Sequence, residues 1–502
     1  MTGRASLAAL GGGLLLWASG LGDGRAPGAE GAGAGKRTAE VQHTFSTALP
    51  GDPRQQALEA LERDAWRREH RFLDAVDPGH LLSATAVPEA EIEAGRWSND
   101  ALFQLGGQLF NVVFTREAGF GARDLPPLAR FHKGRRGGPD ATKCASCHWR
   151  GGPAGGGDGA DAAYLDGDGN TQSSALARNP LALMGEGFVE ILAGEMSAEL
   201  AAARRALVGR AAARGATLTE EIRAKGVAFG TLTATADGKV SGAGLAGVDA
   251  DLVVKPFGWK GNVATLRDMV EDSLLLHHGM ESEHLVATAP PERIGPYGGA
   301  DPDGDGVSAE ITEGQVSALT LYVAMQEVPQ VIAPSDSNGA LLWADGRARF
   351  TSLGCASCHV PAMALGSTRF VLPSRGGGAG VTVDLAREGA EPRLTASAVD
   401  GKMRAPLFSD LKRHDLGPAL AEPRADRGVE GRLFLTRPLW GVARSGPYLH
   451  DGRAPTLEDA VLAHGGEAQA ARDAFAALDD AQRGSLRTFL ISLTRARRMV
   501  TQ

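Results

Sequence analysis

Cys144-Ala-Ser-Cys147-His148 and Cys355-Ala-Ser-Cys358-His359 decide how this chain is read. Each places two thiols on one short turn, with an imidazole directly after them. Two thiols at that spacing add to the two vinyl groups of a single haem, and the next residue's imidazole reaches the iron. A four-cysteine zinc site would have to join the pairs across 211 residues, and it leaves both histidines unexplained. A thioredoxin-like redox pair needs neither histidine. The spacing therefore predicts two covalently bound haem c groups, with His148 and His359 as iron ligands.

The rest of the 502-residue sequence is organised around these motifs. Its four cysteines all lie within them, so no thiol remains for a disulfide. Asn99 to Thr115 and Gly339 to Phe350 read as amphipathic helices leading into the first and second motif. Helix then CASCH thus occurs twice, as an internal repeat. The first half is longer than one cytochrome domain requires. Ser197 to Arg223 reads as a helical insert and Gly230 to Val254 as a hairpin turning at Asp237-Gly238. Pro53 to Ala75 and Asp479 to Thr494 read as further helices.

The 68 glycines point to long loops, as expected of a chain wrapped round large apolar cofactors. The fold expected is mainly α, with two cytochrome-c-like haem domains packed together and small β inserts in the first. The expected boundaries are a leader over 1–25, a flexible tether over 26–52 and a helical extension over 53–98. An N-terminal haem domain then covers 99–334 and a C-terminal one 335–502.

Arg4, the apolar run Leu7 to Trp17 and the small residues Ala18-Ser19-Gly20 read as a signal peptide. The run is too short for a comfortable membrane span of about 20 residues. The expectation is an exported, periplasmic protein with no stable span after cleavage. A net charge of -8 without a basic run gives no support to nucleic-acid binding.

Longer motifs carry a resemblance. The C-terminal half contains Ser409-Asp-Leu-Lys-Arg-His414-Asp-Leu-Gly417 and Arg437-Pro-Leu-Trp-Gly441. Pro447-Tyr-Leu-His450-Asp-Gly-Arg-Ala454 and Ala463-His464-Gly-Gly-Glu-Ala468 follow. The N-terminal half adds Gly106 to Phe120, Phe257-Gly-Trp259-Lys260 and Thr265-Leu-Arg267. As a set these resemble the dihaem oxidoreductase family, from Asn99 to Leu493 without the inserts. That family is related to the bacterial dihaem cytochrome c peroxidases and to the dihaem enzyme that matures methylamine dehydrogenase.

The resemblance implies roles for particular residues. His464, fourteen positions after His450, fills the slot of the distal ligand of the C-terminal haem, where the peroxidases usually have methionine. Imidazole in place of thioether lowers a haem's potential. His450 and His414 are alternatives for that role, with packing and hydrogen bonding as their other reading. Trp259 resembles the tryptophan between the two haems, or is an ordinary core aromatic. Downstream of that tryptophan the peroxidases carry a glutamine and a glutamate; Met269 and Gly279 stand there in this chain. The chain thus departs from the pattern where peroxide chemistry belongs. His277, His278 and Glu281 are the nearby candidates for acid/base work. The histidines are equally candidates for direct ligation of the first haem, or for a solvated helix end.

Asp301-Pro-Asp303-Gly-Asp305-Gly-Val-Ser-Ala-Glu310 sets hard oxygen donors at alternate positions of a tight turn. An EF-hand loop carries glutamate at its twelfth position, where this chain has Thr312. The stretch reads as a looser calcium loop or as a solvated acidic turn. Asp166-Gly-Asp168-Gly-Asn170 is a shorter echo.

Together these readings predict a periplasmic dihaem oxidoreductase of peroxidase type. A small donor, a cytochrome or a copper protein, would feed the C-terminal haem. The N-terminal haem would reduce peroxide or a related oxidant. A non-catalytic dihaem electron-transfer protein is the alternative, and an oxygenase or modifier of a partner protein is a third reading.

Overall fold

Ser98 opens the helix Asn99–Asn111 by accepting a hydrogen bond from Ala101 N–H at 3.1 Å. In this computed structural model, residues 86–123, 125, 126, 128, 129, 139–168, 171–288, 301–397 and 401–495 are described. The expected leader over 1–25, the tether over 26–52 and the helix over 53–75 lie outside them. Among the described residues no helix is long and apolar enough to cross a membrane.

The helix Asn99–Asn111 buries Leu102, Phe103, Leu105, Leu109 and Phe110. That face packs on a helix that periodicity did not reveal, Glu313–Ala324, which is buried at every position. The two backbones come so close that a Cβ on Gly106 would lie 2.1 Å from the carbonyl oxygen of Ala318. Only glycine fits at such a crossing. Around this pair lies the larger hydrophobic core, with Phe188, Leu192, Phe229, Phe257 and Tyr322 among its members.

The second core sits beside the second motif. The helices Ser337–Ser352 and Asp480–Ile491 bury Phe350, Leu486, Phe489 and Leu490, joined by Phe408 and Phe475. Asp336 and Asp479 cap their N-termini. Both helices fall where the sequence placed them.

The insert in the first half differs from the reading. One helix runs from Glu186 to Arg214, and Gly215 in the left-handed conformation (φ 59°) ends it. Leu218–Ala224 is then a strand and not the end of a helix. It pairs antiparallel with Val227–Ala234, which pairs with Val240–Leu245 across the Asp237-Gly238 turn. The threonines around this stretch alternate with apolar residues, and that two-residue period favours a strand once Gly215 has stopped the helix.

Small sheets are also more widespread than expected. Among the described residues there are six, all antiparallel, and four of them lie beyond residue 329. The fold is therefore mixed, with helices building the cores and short strand pairs fastening the loops. Glycine-rich loops satisfy their backbone groups through such short ladders.

The C-terminal end of the described chain is tied inward. Arg495 is fully buried; its Nε donates to Glu327 Oε1 at 2.7 Å and its guanidinium also donates to the Pro153 carbonyl at 2.8 Å. Glu327 is fully buried as well. Arg495→Met is expected to lower unfolding stability by about 3–5 kcal/mol, because it leaves a buried carboxylate without its guanidinium. Chemical denaturation checks this, and adding Glu327→Gln in the same chain is expected to recover part of the loss.

Candidate functional site

Both CASCH motifs fold as one 3-10 turn, Cys144–Ser146 and Cys355–Ser357, with the following histidine bonded back to the first cysteine. His148 N–H donates to the Cys144 carbonyl at 3.1 Å, and His359 N–H to the Cys355 carbonyl at 3.0 Å. Each turn sets its two thiols and its imidazole on the wall of a largely apolar cavity. Burial pushes the Cys144 thiol up to about 12 and the Cys355 thiol up to about 11. Redox-active or zinc-binding cysteines need the thiolate stabilised; burial does the opposite at Cys144 and Cys355.

The second cavity is about 380 Å³ and is lined by Phe350, Leu439, Tyr448, Val461, Leu486 and others. His359 enters one wall with its Nδ1–H donated to the Phe408 carbonyl at 3.0 Å. His464, the C-cap of the helix Leu457–Ala463, lines the same cavity with its Nδ1–H donated to the Ala460 carbonyl at 2.7 Å. In each ring the carbonyl fixes the tautomer, so Nε2 is the unprotonated nitrogen. Burial lowers the pKa of both, and burial together with His464 takes His359 down to about 4. Both imidazoles are thus neutral, the state in which an imidazole can hold a metal.

His450 and His414 are held differently. His450 is buried, with its ring centroid 4.6 Å from that of Phe434. His414 donates from Nε2 to Asp410 at 2.8 Å and from Nδ1 to Glu467 at 2.7 Å. Burial opposes its charge, but Asp410 and Cys358 outweigh that and raise it to about 11. With both ring nitrogens donating, His414 has no lone pair for a metal.

The first cavity is smaller, about 190 Å³. His148 donates from Nδ1 to the Leu181 carbonyl at 2.8 Å, and burial takes its pKa down to about 4. Facing this cavity is the segment where the sequence departs from the peroxidase pattern. The helix Leu266–Ser273 widens into a single π-turn over Leu274–His278, closed by Gly279 at φ 64°. Such a turn shifts the side chains that follow it by a fraction of a turn, and it recurs at functional sites.

Here it separates the two histidines. His278 donates from Nδ1 to the Ala141 carbonyl at 2.6 Å, has its ring 4.9 Å from Phe114, and has Nε2 3.6 Å from Cys144 Sγ. These contacts set its ring beside Cys144. His277 donates from Nδ1 to Asp140 Oδ2 at 2.9 Å and lines the cavity. Asp140 is buried, and the sequence reading did not single it out. Nothing in its local sequence marks it, since the contact spans 137 residues.

The two cavities share a wall. Trp259 lines both, as do Asn179, Pro180, Leu181, Glu186 and Arg437. The Trp259 indole N–H donates to the Asn179 carbonyl at 2.8 Å, and its own carbonyl accepts from Leu435 N–H at 3.0 Å. Arg437 and Glu186 form a buried ion pair at 3.2 Å in the same wall.

Glu281 lines neither cavity. The chain reverses at Gly279, and Glu281 is fully buried beside the acidic loop. Asp301, Asp303 and Asp305 offer carboxylate oxygens within 4.8 Å of one another. Asp301 accepts from Gly304 N–H at 2.8 Å and Gly306 N–H at 3.0 Å. Glu310 joins them, its carboxylate accepting from Glu281 N–H. Burial and the neighbouring carboxylates push Glu281 up to about 9 and Glu310 up to about 8. Thr312 takes no part and instead caps the next helix in a capping box with Gln315. In the shorter echo Asp168 accepts from Thr171 N–H at 2.7 Å; positions 169 and 170 lie outside the described residues.

Comparison with known proteins adds the following. No curated protein matches the chain. The solved structure of Kuenenia stuttgartiensis hydrazine synthase under xenon pressure is similar at 18% identity and a TM-score of 0.23. The match covers 41% of this chain and 65% of that one, and at that score it carries no argument. Residues 297–493, which contain the second attachment motif with His414, His450 and His464, match the family model described as "Di-haem oxidoreductase, putative peroxidase", the family that the C-terminal motifs resemble.

Proposed function

We propose that this chain is an exported dihaem c-type oxidoreductase of peroxidase type, working in the periplasm. Cys144, Cys147 and His148 would hold one haem c, and Cys355, Cys358 and His359 the other, as two cytochrome-c-like halves. The apolar cavities beside both motifs and the neutral imidazoles fit that group. Bound haem supplies one-electron transfer and, where an axial position is open, reduction of a small oxidant such as peroxide.

The chain's own residues give the two sites different work. At the second site His464 lines the same cavity as Cys355, Cys358 and His359 and would hold the haem iron together with His359, which suits electron entry from a small cytochrome or copper protein. At the first site His277 is held by Asp140 on the cavity wall. There it takes a proton from one peroxide oxygen and returns it to the other. Trp259 stands in the shared wall and gives electrons an aromatic step between the sites. That shared wall is the observation that carries the reading, because it makes one redox unit of two separate attachment sites.

One observation favours a second reading. A histidine whose Nδ1–H is held by a carboxylate is also the usual arrangement of a metal ligand. Direct ligation by His277 would make the chain an electron carrier. The test is steady-state turnover of hydrogen peroxide by the purified holoprotein with a reduced small cytochrome c. Turnover is expected, with a high-spin first haem that binds cyanide. No turnover, with two low-spin haems inert to cyanide, would leave the carrier reading. In the same protein His464→Met is expected to raise the potential of one haem only, on the order of 0.1 V within the ~0.8 V that axial ligands span.

A further inference from the structure

We infer that Glu281 completes a divalent-cation site with Asp301, Asp303, Asp305 and Glu310, and that the cation it takes is of the calcium class. The three aspartates already converge within 4.8 Å on a loop bent at Gly304 and Gly306, which have φ of 74° and 101°. An independent observation points to a ligand. Glu281 has no exposed surface, and neither of its carboxylate oxygens has a hydrogen-bond partner. Glu310 Oε1 and Asp305 Oδ2 are buried in the same condition. A buried carboxylate without donors is costly, on the order of several kcal/mol, unless a cation or a proton balances it.

The donor set selects the class of ion. All five groups are hard carboxylates, with no imidazole or thiolate among them, so soft transition metals are disfavoured. Magnesium keeps most of its waters and is held by one or two carboxylates, whereas calcium takes 6–8 oxygens in a flexible shell. Three converging aspartates, with Glu310 and Glu281 beside them from two segments, fit calcium. The sequence of the loop lacks the acid that would close an EF-hand, and Glu281, twenty residues upstream, supplies it.

The position gives the ion a structural task. Glu281 follows the π-turn that carries His277 and His278, and the His278 carbonyl accepts from Gly121 N–H at 2.9 Å. The Asp303 carbonyl accepts from Arg123 N–H at 3.4 Å. The ion thus fastens the loop 301–310 and the segment 119–123 to the residues that face the first cavity. The inference needs no haem chemistry, so it stands or falls separately from the proposed function.

The test is calcium titration by calorimetry on the holoprotein after chelator treatment and dialysis, with terbium luminescence as a second readout. One site per chain is expected, with calcium bound at least tenfold more tightly than magnesium. Glu281→Gln and, separately, Asp301→Asn are each expected to weaken it at least tenfold, while Asp168→Asn leaves it unchanged. Circular dichroism of each variant shows whether it is folded. Absence of binding in the unsubstituted protein would overturn the inference, as would a folded Glu281→Gln chain with unchanged affinity. In that case the glutamates are balanced by protons.

Discussion

Cys355→Ala with Cys358→Ala is expected to halve the covalent haem content, from two per chain to one, and to abolish peroxide turnover. Cys355 and Cys358 stand on the wall of a cavity of about 380 Å³ inside the second core. In the folded protein a bound haem would fill that space and complete the packing of Phe350, Phe408 and Leu490. Without thioether bonds the only remaining anchors are imidazoles, and haem is then lost on denaturation. Unfilled core space costs ~24 cal/mol per Å³, so the second core is also expected to loosen, with weaker near-ultraviolet circular dichroism. Pyridine haemochrome absorbance of the denatured, washed chain measures the haem. The matching Cys144→Ala, Cys147→Ala variant is expected to lose the other haem and keep this one. A ratio that stays at two in either variant would remove the assignment.

His277→Ala is expected to lower kcat/KM for hydrogen peroxide by about 10²–10⁴-fold, the usual size of a lost acid/base group. The first haem's resting spectrum should be unchanged. The argument rests on the Asp140 contact at 2.9 Å, which fixes the ring on the cavity wall. Asp140→Asn should reproduce part of the loss, because the amide can no longer hold the proton on Nδ1 with the same strength. His278→Ala should act differently. That ring packs on Phe114 and Cys144, so its loss should lower haem loading or stability before it alters turnover. If His277→Ala instead converts the first haem from low spin to high spin, His277 is an iron ligand and the carrier reading replaces the enzyme.

Local features of the sequence were read where local chemistry governs. The two attachment turns, the helices before them and the Asp237-Gly238 reversal each depend on a few adjacent residues. The helix Glu313–Ala324 escaped notice because it is buried all round, and so lacks the polar face that makes periodicity visible. The helix read over Ser197 to Arg223 was misplaced at its end, because Gly215 and the alternation after it outweigh the helix-forming alanines before it. Glu281 reads from the sequence as a companion of His277 and His278, since sequence distance cannot show a reversal at Gly279.

The sequence by itself determined which cysteines and histidines would hold the two proposed haems, because thiol spacing and the next imidazole are set within five residues. It also determined the capped helices that lead into both turns. Only the tertiary structure decided the rest of the site. It set Trp259 in a wall common to both cavities and joined His277 to Asp140 across 137 residues. It also set Glu281 beside the acidic loop and away from both cavities. These outcomes depend on which buried groups meet when distant segments pack, and desolvation of unpartnered charge decides among them only once the chain has closed.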